Sequence, residues 1–167
     1  MRTALLIGAL GVLAAAAVHE ARSSTARTVP CSEIIGQART GTDGGYRVVL
    51  GVVSVPPAYA PQAATHQGGP WPYWRKAGLV IRANDAPVTV SVPRFWRKRA
   101  AITWGNGTKI VSSLRIAACP RPEGAWNAYA GGFFTRARSA CVPLVFTIGR
   151  RSTTVRFGLG RRCPAVR

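Results

Sequence analysis

Acidic side chains are the scarce ingredient of this 167-residue chain. Five Asp plus Glu stand against 23 Lys plus Arg, a formal net charge of +18. The carboxylates are Glu20, Glu33, Asp43, Asp85 and Glu123, and the histidines are His19 and His66. So small a set excludes most chemistry that needs several acids or imidazoles. A glycosidase uses two facing carboxylates, and a hydrolytic triad sets a His between a nucleophile and an acid. His66 is the only histidine well inside the chain, and the acids fall on scattered turn-like segments, where pairing with arginine is their expected use. No enzyme activity, cofactor or metal is expected. Disorder is excluded too, because 47% of the residues are hydrophobic and a chain that stays unfolded combines net charge with low hydrophobicity.

Lysine is rarer still than acid: Lys76, Lys98 and Lys109 are the only ones among the 23 cations. An Ala-rich chain that prefers Arg to Lys is what GC-rich coding produces, so the arginine surplus by itself says little. Asp and Glu also have GC-rich codons, and their shortage has no such origin. The missing acids are therefore the informative half of the charge, and they leave the positive field largely uncompensated.

Apolar runs of membrane-spanning length are also lacking. Arg2, the apolar stretch Ala4 to Val18 and the small-residue tract Ala14-Ala15-Ala16-Ala17 match a secretory signal peptide, and the run is short for a bilayer span. Residues 1–17 are expected to be removed, residues 18–30 to form a flexible arm, and residues 31–167 to fold as a single domain with no transmembrane segment. Only Arg2 goes with the signal among the charged groups, which leaves +17. A secreted or extracytoplasmic location makes intracellular nucleic acid an unexpected partner.

Four cysteines, Cys31, Cys119, Cys141 and Cys163, suit that compartment. None forms a Cys-x-x-Cys pair with histidines nearby, so disulfides are expected rather than zinc. Of the three possible pairings, the expected one joins Cys119 to Cys141 across neighbouring strands and Cys31 to Cys163 at the ends of the domain.

From Tyr46 onward the chain breaks into short β-type runs separated by Gly, Pro and Asn. Tyr46 to Val55 is almost wholly apolar. Gly78 to Ala83 and Val88 to Val92 flank Asn84-Asp85, and Val88, Val90 and Val92 alternate with Thr89 and Ser91 as a strand with one buried face does. Ala101 to Trp104 and Ile110 to Ala117 bracket Gly105-Asn106-Gly107, a hairpin signal that overlaps the glycosylation triplet Asn106-Gly107-Thr108. Trp126 to Thr135, Val142 to Ile148 and Thr153 to Leu159 complete about eight strands. Pro143 predicts an edge, or a strand that begins after it. The expected fold is an all-β, disulfide-stabilised antiparallel β-sandwich. It resembles immunoglobulin-like sandwiches in strand number and spacing only: the residues two before Cys119, Cys141 and Cys163 are Ala117, Ser139 and Arg161, so the tyrosine corner is missing and no functional residue carries over.

Two segments are candidates for binding. Pro93-Arg94-Phe95-Trp96-Arg97-Lys98-Arg99 interleaves cations with aromatics, a pattern that grips phosphates or sits at a lipid interface. The competing reading has Phe95 and Trp96 plugging the core. A second basic group, Arg136, Arg138, Arg150, Arg151, Arg156, Arg161 and Arg162, follows in the C-terminal strands, and only the tertiary fold decides whether the two share a face. Gly68-Gly69-Pro70-Trp71-Pro72-Tyr73-Trp74 is an aromatic loop in which Trp71, Tyr73 and Trp74 could grip a sugar, or fold back over the core edge. The expectation is a non-catalytic protein that binds an anionic envelope or extracellular polymer, an acidic glycan or an anionic lipid surface through Arg94, Trp96, Arg97, Lys98 and Arg99. The alternatives are a structural or protein-interaction domain with a compositional Arg excess and, more remotely, a hydrolase.

Overall fold

The computed structural model describes residues 26–38, 40–57, 59–60, 63–83, 85–105, 109–121 and 125–165. The expected signal, residues 18–25 of the expected arm, Asn84 and the Asn106-Gly107-Thr108 triplet lie outside them. The chain is all-β, as the pattern predicts. Fifteen strands among the described residues, numbered along the chain, form three hydrogen-bonded sheets. The first orders β1 (Arg27–Val29), β11 (Ser113–Ile116), β9 (Val88–Ser91), β14 (Ala140–Ile148), β15 (Arg151–Leu159) and β5 (Tyr59–Ala60). The second orders β10 (Ala100–Trp104), β13 (Gly131–Thr135), β7 (Tyr73–Lys76) and β6 (Thr65–His66). The third orders β2 (Gly36–Ala38), β12 (Trp126–Tyr129), β8 (Leu79–Arg82), β4 (Val53–Val55) and β3 (Arg47–Val49). Pairing is antiparallel except at β1 with β11 and β15 with β5. Among the described residues, no helix is long and apolar enough to cross a membrane.

A single hydrophobic cluster draws on all three sheets. Val88 and Val90 on β9 are fully buried, as alternation requires, and meet Ile116 and Leu114 across the β9–β11 register. Phe133 links the sheets: its ring stands edge-on to Trp104 at 5.7 Å and lies 5.2 Å from Phe157. Burying side chains of this size is worth about 1.5–3 kcal/mol each.

Turn chemistry divides several of the expected runs. Tyr46 to Val55 is a hairpin rather than one strand: β3 and β4 pair with Val49 opposite Val53. Leu50 at φ 54° and Gly51 at φ 78° supply the two positive angles of a tight hairpin turn. Trp126 to Thr135 divides into β12 and β13, which serve different sheets. At the start of β13 the flanking strands close in, so a Cβ on Gly131 would lie 1.9 Å from the Thr103 carbonyl oxygen. The hairpin expected at Gly105 shrinks to a single bridge, Ile102 with Val111. Beyond it β10 pairs with β13, while β11 crosses to β9 and buries Leu114 and Ile116 there. Pro143 lies within β14, where β15 pairs on one side and β9 joins only from Val145 onward. The missing N–H thus falls on a locally free edge.

The stretch expected to be a flexible arm includes β1, which runs parallel to β11 with Val29 opposite Ile116. That pairing also overturns the expected disulfides. Parallel chains leave a sheet in the same direction, so Cys31 and Cys119, two and three residues beyond the last pair, stay together and bond with Cα atoms 5.5 Å apart. The second bridge is Cys141 to Cys163, Cα atoms 5.2 Å apart. Cys141 sits opposite Gly158 in the β14–β15 register, and the chain doubles back just after β15.

Candidate functional site

The β14–β15 hairpin carries one wall of the site. Gly149, at φ 54°, turns the chain so that Ile148 faces Arg151, and the nine-pair ladder sets Arg156 opposite Pro143. Val155 and Phe157 are buried on the core face. Alternation therefore turns Arg156 to the other face. Beyond β15 the chain hooks back over that face. Gly160, at φ 62°, makes the bend, and a Cβ on Gly158 would meet the Arg161 carbonyl oxygen at 2.2 Å. The Cys141–Cys163 bridge closes the hook, and Arg156 Nη1 donates to the Pro164 carbonyl oxygen at 3.2 Å. The hook thereby brings Arg161 to the same cleft as Arg156.

The second wall comes from the ends of β10 and β13. Ala100 pairs with Thr135, and the register runs one step further: the Arg136 N–H donates to the Arg99 carbonyl oxygen at 3.0 Å. Both arginines leave the sheet at the same level. Each also lies over an indole. The Arg99 guanidinium carbon is 5.6 Å from the Trp96 ring centroid, and that of Arg136 is 4.8 Å from the Trp71 centroid. Such contacts hold long, rotamer-rich side chains in place and contribute about 0.5–1 kcal/mol at exposed sites.

Between the walls lies a half-open cleft of about 390 Å³ lined by Trp96, Arg99, Arg136, Ser139, Arg156 and Arg161, with the Cys141 end of the disulfide and Pro164 beside them. None of the lining residues is acidic, and among the described residues no carboxylate pairs with the four arginines. A guanidinium presents its donors in a planar fork that matches phosphate, sulfate or carboxylate oxygens two at a time. The cleft thus presents four such forks and no lining carboxylate.

The residues singled out in the sequence divide around this cleft. Trp96 is half-buried against the core and, with Arg99, lines the cleft. Arg94, Arg97 and Lys98 are exposed and lie outside its lining. Arg97 Nε donates to the Val92 carbonyl oxygen at 3.3 Å, which braces the turn. Trp96 packs as the core-plug reading expects, whereas Phe95 is 77% exposed. Trp71, Tyr73 and Trp74 are all half-buried, but they do not form one platform. Tyr73 and Trp74 are successive residues of β7 and project to opposite faces. Tyr73 meets His66 edge-on at 5.5 Å, Trp74 lies 6.4 Å from Phe134, and Trp71 backs Arg136.

Among the described residues the three acids are occupied elsewhere. Glu33 pairs with Arg27 at 2.8 Å and Asp85 with Arg82 at 3.9 Å. Asp43 departs from the expected arginine pairing and accepts from the Thr40 hydroxyl at 2.6 Å. His66 borders a second cavity of about 460 Å³ with Tyr73 and Arg138 and no carboxylate in its lining. Among the described residues no three His, Cys, Asp or Glu side chains gather where they could hold a metal. Burial pushes the Tyr129 phenol up to about 12 against a smaller opposing influence from Arg121.

In the sequence Arg136, Arg156 and Arg161 belong to one basic group, and nothing there joins them to the 93–99 segment. Gly158 and Gly160 are the signal for the hook, and the register at Thr135 is legible only in the folded sheet. No protein-family model, curated protein or solved structure matches this chain.

Proposed function

We propose that this chain is an exported, non-catalytic protein that binds an anionic envelope or extracellular polymer in the cleft between the β14–β15 hook and the ends of β10 and β13. The observation that carries the reading is the convergence of Arg99, Arg136, Arg156 and Arg161, from both basic groups of the sequence, on one cleft with no acidic lining residue. The apolar leader Ala4 to Val18 and two disulfides support an oxidising compartment. The scarcity of acids, and a His66 cavity without a carboxylate, support a binding role rather than catalysis.

Heparin and polyphosphate serve as probes. Affinity should fall steeply as salt rises. Arg136→Ala with Arg156→Ala should weaken binding at least about tenfold and lower the salt slope by about one per arginine removed. Arg47→Ala with Arg115→Ala, exposed cations on β3 and β11 outside the cleft lining, should change it by no more than about twofold. Equal losses from the two pairs would favour a second reading, in which dispersed cations such as Arg47 and Arg115 reflect composition and the domain serves a structural or protein-interaction role.

A further inference from the structure

The turn that supplies Trp96 and Arg99 to the cleft has a second face. Phe95 points away from the protein and is the most exposed large hydrophobic side chain among the described residues. Its exposure is not the looseness of an unbraced loop. The Trp96 N–H donates to the Pro93 carbonyl at 2.8 Å, the Arg99 N–H to the Trp96 carbonyl at 2.8 Å, and Arg97 Nε to the Val92 carbonyl. Strands β9 and β10 grip the segment on either side, and Trp96 anchors it on the core. The ring is thus held outward on a stiff support. Around it stand the exposed cations Arg94, Arg97, Lys98 and Arg99, and the sequence has no acid between Asp85 and Glu123.

We infer that this turn seats the protein on an anionic lipid bilayer, with Phe95 inserted at the boundary between headgroups and acyl chains and Arg94, Arg97 and Lys98 on the lipid phosphates. A soluble polyanion offers the cations a partner but gives Phe95 no apolar phase to enter. An anionic bilayer supplies both within a few ångströms of depth, and a weak apolar anchor combined with a basic patch is the pairing that makes surface binding stable. Phe95 does not line the cleft, so the two surfaces are separable by mutation.

The test uses the oxidised full chain with vesicles of phosphatidylcholine, with and without phosphatidylglycerol, followed by co-sedimentation. Binding should require phosphatidylglycerol. Phe95→Ser should weaken it at least about tenfold, the effect of losing one buried aromatic ring, and leave heparin affinity unchanged. Arg94→Ala and Lys98→Ala should each weaken it about fivefold. Phe95→Trp should bind as the parent does, and its added fluorescence should be quenched by bromine placed on the acyl chains. No binding to anionic vesicles, or binding that survives Phe95→Ser, would overturn the inference. So would binding abolished by Arg136→Ala with Arg156→Ala while Phe95→Ser has no effect, because the lipid would then be one more phosphate held in the cleft.

Discussion

The guanidinium of Arg136 lies over the indole of Trp71, 4.8 Å from its centroid. Those two residues belong to segments with opposite sequence readings, one a possible sugar platform and the other a C-terminal arginine group. In the fold the ring backs one of the four arginines that line the cleft.

Replacing Trp71 should therefore affect charge recognition without altering charge. Trp71→Ala is expected to weaken heparin binding about two- to fivefold, the equivalent of one exposed cation–π contact. The salt dependence should keep its slope, since no cation is lost, and Trp71→Phe should fall between the parent and the alanine variant. A changed slope, measured by calorimetry over a salt series, would mean that Trp71 does something other than position Arg136.

The hook after β15 should depend on its bridge. Cys141→Ala with Cys163→Ala removes a crosslink across 22 residues, worth roughly 3.5 kcal/mol on the chain-entropy model. The same change at Cys31 and Cys119, 88 residues apart, should cost roughly 4.5 kcal/mol. Urea midpoints measure both losses. Only the first pair should also weaken polyanion binding, because only it closes the hook that brings Arg161 to the cleft. Non-reducing peptide mapping should return Cys31 with Cys119; a peptide joining Cys31 to Cys163 would contradict the parallel β1–β11 arrangement.

Tyr129 should make the fold sensitive to alkali. Its phenol titrates near 12 when folded against 10 when unfolded, so between those values the folded state holds more protons. Stability then falls as pH rises from 10 through 12 and is fully retained below 10. Among the described residues the hydroxyl donates to the Cys119 sulfur, at 3.6 Å. Tyr129→Phe should consequently change stability at neutral pH by no more than about 1 kcal/mol and flatten the decline above pH 10. Denaturant midpoints of the two proteins across that range provide the check, and parallel declines would exclude Tyr129 as the cause.

The strand content was legible because alternation is local: Val88, Val90 and Val92 declare their buried face in five residues. Connections between strands were not. The Gly105 turn signal was outweighed by burial of Leu114 and Ile116 on β9, a contact whose benefit arises only when a third segment is present. The two short strands β1 and β7 have no pattern of their own and are defined by what they pair with. The same limit applies to the cleft. Each arginine was visible, yet Arg99 and Arg136 meet through a register step, and Arg156 and Arg161 through a hook that two glycines permit. Pairings among four cysteines likewise depend on strand direction, which residue spacing does not encode.

The two bridges also differ in when they can form. Cys141 and Cys163 need only the local β14–β15 hairpin and its hook, a short loop closed by neighbouring contacts. Cys31 waits for β1 to find β11, an encounter between distant segments that loop-closure entropy makes slow. During oxidative folding the clasp of the cleft should therefore close before the bridge that fixes the first described strand.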